Sequence, residues 1–352
     1  MGGRRGKKSA FYRIFNMLSL SDINPDHMNR TTISNHKPQT LSWFRNHLID
    51  WANIDVNIPG LPGIPVPRSL GYPFDAAITS EDGQYAFVYR RLGTKGVLMK
   101  HGEEIREINR PYYCSDIYEY PAAFAVLKGR TYLIHCPLQY RRLDFEDVET
   151  GEIVTDVPGR NADDVFHSRL SVSPGNRYLM SAGWFWHPWG IALAFDLEAC
   201  LSNPLLLDRG FACSDLKSEI ATASFIDDDT VLLGSSEQKI WQEREPGKLP
   251  PLHIAVWHLP SNNIIHVVKP KTEFGQLYAI DAERCFDTFR YPRIINLRNG
   301  EVEDKAEDIF SGLDNHAIVG DPEDYRLISF NRSTKQLAIV NKVTNSVEIL
   351  SP

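Results

Sequence analysis

The sequence predicts an all-β fold made of six repeated four-stranded sheets. Three observations predict it. A unit of alternating strand, tight polar turn, second apolar strand, variable loop, third strand, Gly or Asn turn and fourth strand recurs along the chain. The first turns of successive units lie about 41 to 53 residues apart. The 352 residues are 42% apolar and 11% aromatic, with Pro and Gly spread throughout, as in a globular protein rich in turns.

Residues 1–72 stand outside the repeat. Arg4, Arg5, Lys7 and Lys8 precede Phe11, Ile14, Phe15 and Leu18, whose i, i+3, i+4, i+7 spacing predicts a basic amphipathic helix able to dock on a partner or a membrane surface. A disordered basic tail is the alternative. Arg13 and Asn16 interrupt the apolar run and no small-residue cleavage site follows, so a signal peptide is not expected. No window reaches the roughly 20 apolar residues of a membrane-spanning helix. Within 40–52, Leu41, Phe44, Leu48, Ile49 and Trp51 predict a short amphipathic helix capped by Thr40 or Ser42. Residues 54–58 alternate as a strand expected to join an outer sheet edge, and 59–67 form a Pro- and Gly-rich linker.

The repeat occupies 73–352. Its first turns fall at Asp82-Gly83, Lys128-Gly129, Pro174-Gly175, Asp228-Asp229, Asp281-Ala282 and Pro322-Glu323, and its second turns near Gly102, Gly151, Ser202, Ser261, Gly300 and Asn345. One such sheet cannot bury both faces alone. Stacking the sheets in a closed ring, a β-propeller, covers the faces and removes the edges. Six blades suffice, and a seventh, degenerate blade before residue 73 is the alternative. A β-sandwich would place turns every 8 to 12 residues or so, without the longer period.

The turn Ser173-Pro174-Gly175-Asn176 precedes an apolar strand, and Ala194-Phe195-Asp196-Leu197 and Ala255-Val256-Trp257-His258-Leu259 occupy a later strand slot. This pattern resembles the WD-repeat superfamily, in which a Ser-Pro-Asp-Gly-type turn leads a strand and a later strand ends in Trp-Asp or a variant. The Trp-Asp and early Gly-His signatures are mostly missing, so the resemblance is to the superfamily and no narrower group. It implies that loops joining second to third strands share one face with the connections between blades.

Catalytic spacings are not found. Gly234-Ser235-Ser236 lacks the closing Gly of a hydrolase elbow, and there is no G-x-x-x-x-G-K phosphate loop. Cys114, Cys136, Cys200, Cys213 and Cys285 form no C-x-x-C pair, which argues against a zinc knuckle and fits reduced thiols in a cytoplasmic protein. No cofactor is expected. Acidic runs such as 227–229 and 321–324 sit where tight turns favour Asp. The enzymatic alternative is a hydrolase or lactonase-like propeller with a channel metal, drawing on Asp75, His167 and His316 near the starts of inner strands. Glu119 and Glu219 fall two residues out of that register, and a hard cation wants more oxygen ligands than this set offers.

The leading functional expectation is a non-catalytic binding or scaffold protein. The loops joining second to third strands, read as 90–95, 136–142, 184–190, 235–250, 290–293 and 331–335, carry twelve Lys and Arg against three acids in a chain of net charge −7. Arg90, Arg91, Arg141, Arg290 and Arg293 provide charge, and Trp184, Trp186, His187, Trp189 and Trp241 add anchors of the kind interfaces favour. An acidic protein segment is the first expected partner and nucleic acid the second. A sugar-binding propeller is a further reading of the aromatic run 184–189.

Overall fold

The computed structural model describes residues 28–34, 37–52, 70–186, 188–213, 216, 218–239, 248–319 and 325–352. The described chain starts with β1 (Asn29–Ser34) and a short hairpin of β2 (Ser42–Phe44) and β3 (His47–Ile49). Blade one is β4 (Ala76–Thr79), β5 (Tyr85–Tyr89), β6 (Lys95–Lys100) and β7 (Glu103–Asn109). Blade two is β8 (Ala122–Leu127), β9 (Arg130–His135) and β10 (Asp144–Asp147), with Ile153 bridging Glu146 where a fourth strand would run. Blade three holds β11 (Val165–Phe166), β12 (Ser171–Val172), β13 (Tyr178–Phe185) and β14 (Trp189–Asp196), then α1 (Leu197–Ser202). Blade four is β15 (Ser218–Phe225), β16 (Thr230–Lys239), β17 (Ile254–His258) and β18 (Asn263–Val268). Blade five is β19 (Leu277–Ala279), β20 (Arg284–Asp287), β21 (Arg293–Asn296) and β22 (Val302–Lys305). Blade six is β23 (Ile328–Asn331), β24 (Gln336–Asn341) and β25 (Ser346–Ser351), completed by β1 in the order β1-β25-β24-β23.

The core lies in the seams between blades. Leu127, Phe145, Leu179 and Phe195 pack together between blades two and three, and Met180, Phe225, Val231 and Trp257 between three and four. The middle strands are buried on both faces, as β5 is along its whole length, because each covers a neighbour on either side. Six antiparallel blades and their seams match the propeller expected from the repeat, although blades two and three are three strands wide, with single bridges at Ile153 and Phe211 where a fourth strand would run.

Closure is made by β1 on β25, in register from Asn29↔Ser351 to Ser34↔Ser346. Glu348, 1% exposed at its side chain, accepts from Arg30 Nε at 2.8 Å and Thr32 Oγ1 at 2.6 Å, fixing the terminal strand to the blade. Residues 54–58, expected to close the ring, lie outside the described residues, as do the basic segment before residue 28 and the linker 59–67. The closing strand therefore comes from an Asn-Arg-Thr-Thr stretch whose alternation is weak in sequence.

The helix expected over 40–52 is a β-hairpin instead. Asp50 takes the backbone amides of Gln39 at 2.9 Å and Thr40 at 3.0 Å, pinning the hairpin's base, and Arg45 adopts φ 53° in the two-residue turn. Leu41 and Leu48 then face blade six while Phe44, Ile49 and Trp51 face blade one. A stripe spaced for one helical face thus serves two faces of a wedge. The wedge stands between blades six and one: Trp43 Nε1 donates to Ser329 O at 3.0 Å, and Trp51 Nε1 to Thr79 Oγ1 at 2.8 Å. It occupies the place of the seventh blade with two strands only.

The phase of blade six also differs from the sequence reading. Residues 332–335 join β23 to β24 and are the first turn, so Arg332 and Lys335 belong to the face opposite the second-to-third-strand loops. The cause is closure: β1 supplies the fourth strand, so this blade has three strands after residue 325 rather than four.

A chain beginning at residue 37 tests the closing role of β1. It leaves β25 as an open edge and Glu348 buried without its cation, a loss of about 3–5 kcal/mol. Thermal denaturation should show a midpoint lower by roughly 5–10 °C, with self-association in light scattering. An unchanged midpoint in a monomeric product would reject this account.

Candidate functional site

The starts of the innermost strands and the loops joining second to third strands lie at one end of the ring, as the register Ala76↔Tyr89 and Tyr89↔Gly96 shows. This entry face carries two features: the mouth of the central channel and an aromatic shelf between blades two and three.

At the mouth, a chain of charges crosses the channel. Arg91 Nη1 donates to Glu119 Oε1 at 2.8 Å, and Arg169 reaches Glu119 at 3.3 Å and Asp314 at 2.8 Å. Arg169 also donates to Gln276 Oε1 at 2.8 Å and to the carbonyl of His316. The Arg91 guanidinium lies 3.1 Å from the Tyr325 ring centroid, a cation–π contact. Arg169 gets there because the first strand of blade three is split between β11 and β12, where the residue adopts φ 45° and turns its side chain into the channel. Burial alone would raise the Glu119 carboxyl, but the guanidiniums of Arg91 and Arg169 outweigh it and hold it below the usual carboxylate range.

The aromatic shelf is built on Phe166 and Trp184, stacked at 3.9 Å with planes 4° apart. Tyr140 lies over Phe166 at 4.7 Å, and Trp186 meets it edge-on at 5.5 Å. Tyr113 joins Tyr140 at 4.9 Å. Trp184 is 2% exposed and forms the base, while Trp186 at 42% and Tyr113 at 43% face solvent beside Tyr112 at 83% and Leu138 at 46%. The connection from β7 to β8 that presents both tyrosines is held by buried Arg110, which donates to the carbonyls of Gly93 at 2.7 Å, Ser115 at 2.8 Å and Tyr118 at 2.9 Å.

The expected partner-binding residues are not one continuous basic surface. Arg90 pairs with Asp75 at 2.6 Å, Arg290 with Glu273 at 3.2 Å and Arg293 with Asp287 at 2.5 Å. Arg141 donates to Ala162 O at 2.6 Å. Arg91 and Arg293 are buried, whereas Arg90 and Arg290 keep exposed sides. Trp189 is half-buried and pairs with Phe185 in the β13–β14 hairpin. His187 and Trp241 lie outside the described residues. The acids that neutralise these cations come from neighbouring strand ends, which a count confined to loops does not include. Tyr113, Tyr140, Arg110 and Arg169 escaped sequence reading. The only available signal was the irregular spacing of aromatic residues between blades.

The channel-metal set is dispersed. Asp75 accepts from Arg90 at 2.6 Å and from the Arg91 amide at 2.7 Å. His167 Nδ1 lies 3.0 Å from Ser181 Oγ, and His316 Nδ1 is 3.8 Å from Glu219. Glu219 is itself engaged by the Gly190 amide at 2.7 Å and Ser236 Oγ at 2.5 Å. Among the described residues, no group of three or more His, Cys, Asp or Glu is placed to hold a metal ion, and no helix is long and apolar enough to cross a membrane.

Comparison with solved structures finds many similar chains. Over its whole length the chain is similar to a chain of a mitotic checkpoint complex, with a TM-score of 0.53, 7% identity and 99% of that chain covered. Together with the blade order and terminal closure, this decides the architecture. The fold is a six-bladed β-propeller. The propeller is also similar to the Pan2 WD40 domain of Neurospora crassa, over 78% of this chain and 74% of that one, at 14% identity and a TM-score of 0.48. No protein-family model matches the propeller's sequence, and no curated protein matches it. At these identities the likeness speaks for fold alone.

Two variants test the site. Arg169→Met leaves Glu119 and Asp314 short of their shared cation and should cost about 3–5 kcal/mol in urea unfolding; a cost below 1 kcal/mol would mean that the crossing network is not structural. The second concerns His167, whose pKa burial lowers from 6.5 to about 4, opposed by a hydrogen bond with the Arg141 backbone. The unfolded chain then binds a proton between those values that the folded chain refuses, so stability present above pH 6.5 is lost as pH falls towards 4, by about 3 kcal/mol at most. In His167→Asn the slope of stability over this window should flatten; an unaltered slope would exclude His167 as its source.

Proposed function

We propose that this propeller is a non-catalytic protein-binding scaffold, and that its entry face anchors a partner segment on the aromatic shelf. The observation that carries the reading is the exposure of Trp186, Tyr113, Tyr112 and Leu138 above a rigid stacked base. Aromatic side chains with apolar bodies and few rotatable bonds lose little entropy on binding and dominate interface energetics. Arg110 and the Phe166–Trp184 stack hold the shelf in place before a partner arrives, which lowers the ordering cost of association.

An acidic partner is the finer part of the reading. Its support is the exposed sides of Arg90 and Arg290. Both are already paired within the chain, so charge steers the encounter and aromatic contact supplies the affinity.

Combining Trp186→Ala with Tyr113→Ala should weaken capture of native partners at least tenfold while leaving the melting midpoint within about 2 °C. Arg90→Glu with Arg290→Glu should instead reduce capture chiefly at low salt. If the folded aromatic variant recovers the same partners at the same yield as the parent, the shelf is not the binding surface.

A further inference from the structure

We propose that the central channel binds a small oxyanion, a carboxylate or phosphoryl group, on the guanidinium of Arg332. This goes beyond partner binding at the entry face. Arg332 follows the last residue of β23 and so stands at the exit end of the channel. Its side chain spans the ring to blade three, where Nη1 donates to Val172 O at 2.7 Å, and its guanidinium passes the Phe225 ring at 5.6 Å. The channel floor is thus a single arginine laid from one blade to an opposite one.

A guanidinium has five N–H donors, and this is the one bond it makes to the described residues. No carboxylate among the described residues forms an ion pair with it. Asp228, the acid that influences it, instead accepts from the Gly175 amide. The contrast with Arg169 at the roof is sharp in chemical terms. That arginine meets two carboxylates, an amide oxygen and backbone carbonyls, so its donors are taken and its charge is balanced.

Between roof and floor lies a chamber of about 350 Å³, lined by Arg332, Ser171, Ser224, Tyr278 and Phe225 among others. Its size falls in the range of about 300–1,000 Å³ typical of small-molecule sites. Ser224 Oγ accepts from the Ala279 amide at 3.1 Å, which leaves its proton to donate inward. At the roof Arg91 and Arg169 are matched by Glu119 and Asp314. Arg326 on the wall donates to Tyr325 O at 2.9 Å. Among the described residues the Arg332 charge has no ion-pair counterpart in the chamber, and a desolvated, underbonded cation is costly unless an anion completes it. Oxyanions fit the planar fork of arginine with two parallel, charge-assisted bonds.

The test uses the full chain in thermal-shift titrations with sodium phosphate and, separately, sodium acetate, at constant ionic strength against chloride. A saturable rise in midpoint with either anion is expected, weakened at least tenfold in apparent affinity by Arg332→Met and partly restored by Arg332→Lys. A response to phosphate alone assigns the site to phosphoryl groups, and a response to both extends it to carboxylates. No saturable response to either anion beyond chloride, or an equal response in folded Arg332→Met, overturns the proposal. Should Arg332→Met fail to fold, crystals of the parent soaked in selenate decide. Anomalous density beside Arg332 supports the site, and density only elsewhere, or none, overturns it.

Discussion

Pairing of the first described strand with the last is the interaction on which the ring depends. Each blade leaves two apolar faces, which the neighbouring blades and the β2–β3 wedge cover. The ladder from Asn29↔Ser351 to Ser34↔Ser346 joins residues more than 300 positions apart in sequence. Loop-closure entropy grows only slowly with chain length, so a six-residue ladder with a buried Glu348 at its centre is enough to hold it. The inner edges of the blades then face one another at fixed separation, and that separation sets the channel.

The β2–β3 wedge modifies this geometry. Six blades with a two-stranded insert between the sixth and first make a wider ring than six alone would. The wedge bonds to both neighbours through Trp43 and Trp51, and Leu41 beside it lines the chamber. The hairpin therefore stands as a spacer between blades six and one and contributes to the chamber wall. Its sequence has no strand-like alternation because it packs apolar side chains to both sides, and three-residue strands are too short to reveal a period.

Most of the architecture was legible in the chain because turn chemistry is local. Gly83, Lys128, Gly129 and Gly300 adopt the positive φ that tight turns require, so blades one to five could be phased from such signals. Blade six could not, since its fourth strand comes from the other end of the chain. The site was less legible for a similar reason. Trp186 was visible as an exposed-loop aromatic, but its neighbours Tyr113 and Tyr140 come from blades one and two, and only the ring brings them together. Glu119 fell outside the expected register, yet it is the residue through which Arg91 and Arg169 meet.

Charge follows the same logic. Counting Lys and Arg along the loops suggests a strongly basic face, but Asp75, Glu273 and Asp287 reach the same cations from the flanking strands, and the exposed pairs among them, Arg90–Asp75 and Arg290–Glu273, have weak net fields in water. The charge that matters most per residue is then not on the surface. Inside the channel the effective dielectric is lower, so one guanidinium with no ion pair among the described residues exerts a larger local potential than several paired ones outside. In the proposed reading two tasks are separated accordingly: the entry face would offer shape and aromatic area to a large partner, while the enclosed axis would offer charge to something small.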